Sequence, residues 1–245
     1  MLSTVDGAGS GVWFFPSPGI QPRVKPFLPP LPDIPGEGKV YQYMPPGQSI
    51  ISLLAGEHGE LTKLAGNLAG SLAVKREPAD RFTAALTRHL SSERQYLYPM
   101  VARLFSAQGS DIARNEIGHD RTLLTDLALL RKEQPGGDAF RRLAQAVETG
   151  LQRHIHSCET GMFPALEDAV TMADLVRLGN RVEVAQEAAP SRPHPRALMR
   201  PPWNKLTDAA IGAIDKIRDV ASGRKTYPAS SKASAAAKVV AGGAR

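Results

Sequence analysis

Only one cysteine, Cys158, occurs in 245 residues, which excludes an internal disulfide framework and fits a reducing compartment. No run approaches the ~20 consecutive apolar residues that a membrane-spanning helix needs. The apolar patch Val12-Trp13-Phe14-Phe15 is interrupted by prolines, lacks a preceding basic segment and is followed by no small-residue cleavage site. A secretory signal is therefore not expected, and the chain is read as cytoplasmic. Strand-forming segments are missing too, since no useful length alternates polar and apolar residues with a period of two. The basic residues come with no nucleic-acid-binding motif and no interleaved aromatics. Their location agrees with this: Ser49 to Asp168 carries 14 Lys+Arg against 15 Asp+Glu, while Ser222 to Arg245 carries five basic residues and no acidic one. The net charge of +6 thus belongs to the flanks, and no specific nucleic-acid partner is expected.

What is present is a helical middle between two low-complexity ends. Ten of the 20 prolines precede residue 47, so residues 1–46 read as a disordered Pro/Gly-rich leader, and residues 223–245 as a disordered basic Ala/Ser/Lys tail. From Ser49 the apolar residues recur at three- and four-residue steps. Ile50, Leu54, His58, Leu61, Leu64, Leu68 and Leu72 place helix one, running to about Val74. Pro78 suits the first turn of helix two, whose stripe is Phe82, Leu86, His89, Glu93, Met100 and Leu104. Helix three starts near Ser110 or Asp111 with Ile112, Glu116, His119, Leu123, Leu127 and Leu130; after the Gln134-Pro135-Gly136-Gly137 breaker, Asp138 is a plausible cap for helix four. Four long amphipathic segments with short connections predict an all-α protein, an antiparallel up-down four-helix bundle. A further helix over about Val170 to Ala188 completes a unit spanning 47–189. A Pro-rich linker (190–202) then leads to a short amphipathic helix (203–222) that is expected to dock on the bundle.

Four histidines, His58, His89, His119 and His154, fall one per helix on the apolar stripes. Burying several imidazoles and carboxylates without partners would cost a few kcal/mol per group, and a shared metal ion removes that cost. Glu93 follows His89 by four residues, about 40° round a helix, so the two side chains address one point. The stretch from His89 to Pro99 has an echo from His154 to Pro164, each with a histidine ten residues before a proline. In the echo the residue four after the histidine is Cys158, while Glu159 is five after, about 140° round. Pro164 cannot donate to the carbonyl of Thr160 and opens that turn, which predicts that Glu159 swings inward. Cys158 then reads as a core residue, a redox thiol beside the metal, or a ligand. His156 points away from the site.

These residues and spacings resemble the hemerythrin/HHE cation-binding family over about Ser49 to Asp168. The resemblance implies a non-haem di-iron centre with His58, His89, Glu93, His119, His154 and Glu159 as ligands. Where oxygen-carrying members have a second helix-three histidine, the positions four either side of His119 are Asn115 and Leu123. Glu116 is the replacement the stripe offers. Glu57, Asn115 and Tyr96 are candidates for contacting the ligands from outside, with Glu57 holding an imidazole N–H. The function so implied is binding or sensing of O2, peroxide or nitric oxide. The alternatives are a di-iron enzyme that decomposes peroxide or reduces nitric oxide, and an iron store or iron-responsive regulatory module.

Overall fold

The computed structural model of the chain describes residues 44–69 and 75–195, together with Ile211, Ile214, Asp215, Arg218, Asp219 and Ser222. The 223–245 tail, all but the last three residues of the 1–46 leader and most of the 203–222 segment lie outside the described residues. Among the described residues all regular structure is helical. The first rod of the bundle is α1 (Ile50–Ala69). The second is α2 (Arg76–Ser92), which passes through a π-helical segment, Glu93–Leu97, into α3 (Tyr98–Leu104). The third is α4 (Ser106–Leu130), and the fourth is α5 (Asp138–Ser157), continued through the π-helical segment Cys158–Met162 into α6 (Phe163–Ala169). Helix α1 packs on α2 and α5, and α4 packs on α3 and α5, while α7 (Met172–Ala188) lies against α1 and α2.

The two π-helical segments have a common cause. Pro99 and Pro164 each sit second in the helix that follows, and each lacks the N–H that would bond four residues back, where its ring also crowds the carbonyl. The chain relieves this by widening one turn: the Tyr98 N–H reaches back five residues to the Glu93 carbonyl, and the Phe163 N–H five to that of Cys158.

Element boundaries differ from expectation where the chain reverses. Helix α4 begins at Ser106, not near Ser110, because a single residue, Phe105, suffices to turn out of α3. The turn demands two local adjustments. Ser106 takes a positive φ of 54°, and Gly109 lies so close to α3 that a Cβ there would be 2.3 Å from the Val101 carbonyl oxygen. Asp138 is the first helical residue of α5, after Gly137 in the cap position, and is not itself the cap. Thr171 caps α7 by accepting from the Asp174 N–H at 3.3 Å. Helix α1 ends at Ala69, and residues 70–74 lie outside the described set.

The core has three layers. One apolar cluster contains Ile50, Leu54, Leu97, Val101, Ile112, Met162, Phe163, Leu166 and Leu175. The other contains Leu61, Phe82, Leu86, Leu90, Leu124, Leu127, Phe140, Val147 and Leu151. Between them in every rod stand buried polar side chains: His58 in the first, His89 and Glu93 in the second, Glu116 and Asp120 in the third, and His154 in the fourth. Each fully buried leucine contributes about 1.5–3 kcal/mol, so the two apolar clusters can carry a polar belt that does not stabilise the fold by itself.

Candidate metal centre

His58, His89, Glu93 and His154 meet at the middle of the belt, all of them buried. Glu93 is the hub. Its Oε2 lies 3.1 Å from His154 Nε2, and its Oε1 lies 3.4 Å from His89 Nε2 and 3.9 Å from His58 Nε2. The Nε2 atoms of His89 and His154 are 3.4 Å apart. Helical spacing accounts for this convergence in part, because His89 and Glu93 are one turn apart on the second rod, and the first and fourth rods, packed on each other, bring His58 and His154 to the same level. Phe163 stacks on the His58 ring, with centroids 5.6 Å apart and planes 8° from parallel.

The far nitrogens of two of these rings are held from outside. Glu57 Oε2 lies 2.7 Å from His89 Nδ1, and Glu57 Oε1 in turn accepts from Gln186 Nε2 of α7 at 2.6 Å. Glu57 therefore supports His89 across the helix pair and not its own neighbour His58. Glu159 Oε1 lies 2.9 Å from His58 Nδ1. A carboxylate on Nδ1 sets the tautomer and aims Nε2 at the centre, an arrangement usual for imidazoles that ligate metals. Glu57→Ala is expected to weaken metal binding about 10–100-fold, measured by competition against a coloured chelator. Unchanged affinity would remove Glu57 from the site.

Other predicted residues are placed differently. Glu159 stays at the rim, 44% exposed, and is not among the converging donors. The turn before Pro164 does open, but the opening starts at Cys158, the residue that keeps register with His154. Cys158 is therefore the inward residue, fully buried, with Sγ 3.6 Å from Glu93 Oε1 and 3.8 Å from His154 Nε2. His119 is not brought to the centre either. It is 41% exposed at the edge of α4, with Nδ1 3.6 Å from Glu116 Oε1, because the inward face of α4 at this level is taken by Glu116 and Asp120. Asn115 is exposed, as is His156, and Tyr96 is part-buried against the first apolar cluster.

Two further residues stand close to the centre. Asp120 is fully buried, with Oδ1 3.7 Å from His154 Nδ1. The Tyr98 hydroxyl lies 3.1 Å from Asp120 Oδ2 and 3.2 Å from Glu93 Oε2, linking the two carboxylates. Glu116 accepts from Ser157 Oγ at 2.9 Å. The Glu116-x-x-x-Asp120 spacing on one stripe was a readable signal for the pair.

The electrostatics show a pocket that calls for positive charge. Burial disfavours a charged His89, but Glu93 and Glu57 outweigh it and raise its imidazole to about 10. Burial likewise opposes a charged His154, and Glu93 reverses the balance, so its pKa is also raised. Burial would neutralise Glu93, yet His154 and His89 hold it well below the ordinary carboxylate value. Asp120 is pushed up to about 7, chiefly by burial, with His154 opposing. Burial and the Glu93 carboxylate push the Cys158 thiol well above its usual value. Against this background several buried atoms have no hydrogen-bond partner: His58 Nε2, His154 Nδ1, Glu116 Oε2 and Asp120 Oδ1. Orphaned polar atoms of this kind are rare in a folded core and call for an explanation. One donor atom each from His58, Glu93, His154 and Cys158 lie within 4.8 Å of one another, a spread that one cation could bridge.

Comparison with known proteins agrees with that reading. Residues 49–166 match the hemerythrin HHE cation binding domain. The chain is also similar to an uncharacterized hemerythrin-like protein of Schizosaccharomyces pombe, 22% identical over 142 residues that cover 58% of this chain and 70% of the relative. No solved structure matches the chain.

Proposed function

We propose, from the chain's membership of the hemerythrin HHE cation-binding family through residues 49–166, that the bundle holds a non-haem di-iron centre that binds or senses O2, peroxide or nitric oxide. The observation that carries this is His58 Nε2: a buried imidazole nitrogen with no partner, directed at a carboxylate that two further imidazoles already flank. A cation relieves that nitrogen and neutralises Glu93 together. The residues fit iron, since imidazole and carboxylate are its ordinary donors in such bundles. His58, His89, His154 and Glu93 would form the inner donor set, and Glu116 and Asp120, each with one buried oxygen that lacks a partner, would extend it to a second ion. Bound iron would supply the electrons and the open coordination positions that a small diatomic or peroxide ligand requires.

The chain's own residues do the rest. Glu57 and Glu159 hold the Nδ1 sides of His89 and His58, the apolar clusters above and below keep bulk water out, and the Tyr98 hydroxyl stands between Glu93 and Asp120. No described helix is long and apolar enough to cross a membrane, and the single thiol fits a reducing, cytoplasmic setting. The test is to load the protein with ferrous iron under argon and admit O2, peroxide or nitric oxide in separate samples. A pair of bound irons per chain and a new visible absorption with at least one of the three is expected. A loaded protein whose spectrum none of them changes would sink the reading.

A further inference from the structure

The chain makes the same turn twice, and the two copies differ at one chemically decisive position. In the first, His89 is followed four residues later by Glu93, a π-helical segment starts at Glu93, and Pro99 is second in the next helix. In the other, His154 is followed four residues later by Cys158, a π-helical segment of the same length starts at Cys158, and Pro164 is second in the next helix. Aligning the copies places Cys158 where Glu93 stands, and Glu159 where Arg94 stands. The backbone device that directs Glu93 inward is therefore present again, and it directs a thiol inward. Contacts agree with the alignment: Cys158 Sγ lies 3.6 Å from Glu93 Oε1 and 3.8 Å from His154 Nε2 with no exposure to solvent. An observation independent of the cysteine points to a ligand at the same place. His58 is 1% exposed with its Nε2 unpartnered, and one of its ring nitrogens belongs to the group of donors that includes a Cys158 atom.

We propose that Cys158 is a thiolate ligand of the centre, occupying the position equivalent to Glu93, so that the inner donor set is three imidazoles, one carboxylate and one thiolate. This rests on the reading that the belt holds metal, and it reassigns the ligand of the fourth rod from Glu159 to its neighbour. On binding, the S–H bond breaks, a sulfur–metal bond forms, and the proton leaves to solvent with no change of oxidation state. A sulfur donor makes the site softer than an all-nitrogen-and-oxygen one, and so more accepting of zinc or cobalt(II) beside iron.

Cobalt(II) separates the two ideas, because its visible d–d bands report binding and an intense near-ultraviolet band reports sulfur ligation. The full chain loaded with cobalt(II) is expected to show both. Cys158→Ser, which keeps the side-chain shape, is expected to keep the d–d bands and lose the near-ultraviolet band, with cobalt affinity down at least about 10-fold. Glu159→Gln, which takes only the carboxylate from His58 Nδ1, is expected to weaken cobalt binding while the cobalt that does bind keeps the near-ultraviolet band. Wild-type d–d bands without the near-ultraviolet band would overturn the thiolate assignment and leave the proposed function standing. The absence of any cobalt spectrum in the wild-type chain would overturn both.

Discussion

Glu93→Ala is expected to empty the centre. Glu93 lies within 4 Å of His58, His89, His154, Tyr98 and Cys158, and it supplies the negative charge that the inner set presents to a cation. Losing a group that only supports a ligand already costs about 10–100-fold in affinity, so losing the hub should cost more than about 100-fold. Metal analysis after dialysis, expected to find the variant bare and the parent loaded, checks this; equal metal contents would refute the assignment of the hub. The same substitution should lower the stability of the protein stripped of metal by about 3–5 kcal/mol, since it leaves protonated imidazoles buried without their counter-charge. The pH dependence follows from the directions of the shifts. The Glu93 contribution is present above the ordinary value of 4.5 and is lost as pH falls below it. The His89 contribution is complete below 6.5 and is lost as pH rises through about 10. The stability difference between parent and variant should therefore be widest between those two ordinary values, 4.5 and 6.5, and narrow on either side, as urea titrations across pH would show.

Replacing the belt with apolar residues should have the opposite effect on the two properties. A chain carrying His58→Leu, His89→Leu, Glu93→Met and His154→Leu is expected to bind no metal, yet to be as stable as the stripped parent or more so, by about 1–4 kcal/mol. Taking charges out of water is expensive, and in the stripped protein only their mutual attraction offsets it. Side chains of similar volume continue the apolar clusters through the middle layer instead. Asp120, pushed up to about 7 chiefly by burial, loses in this variant both His154, which opposes the shift, and Glu93, which adds to it. A stripped parent clearly more stable than this variant would mean that the belt evolved for the fold and not for a ligand.

The belt was legible helix by helix. His58, His89, Glu93 and His154 each sit on an apolar stripe at a helical spacing, and a polar residue on such a stripe must enter the core whatever the neighbouring rods do. Glu116 stood on its stripe as well, with Asp120 one turn after it, but only the packing of α4 against α3 and α5 showed that this face turns inward and leaves His119 at the edge. Tyr98 likewise became a bridge between carboxylates only once α3 and α4 were adjacent. The sharp reversal at Phe105 had no clear sequence signal, because a positive φ at Ser106 is not what a serine prefers.

By itself, then, the sequence determined that this is a helical bundle with imidazoles and a carboxylate in its core, because the period of apolar residues decides which side chains leave water. It also determined that Pro164 would disturb its helix, since a residue without an N–H cannot close the turn. The choice between Cys158 and Glu159 belonged to the tertiary structure. The structure starts the widened turn at Cys158, six residues before Pro164, as it starts the other at Glu93, six before Pro99, so Cys158 keeps register with His154 and Glu159 is carried to the rim.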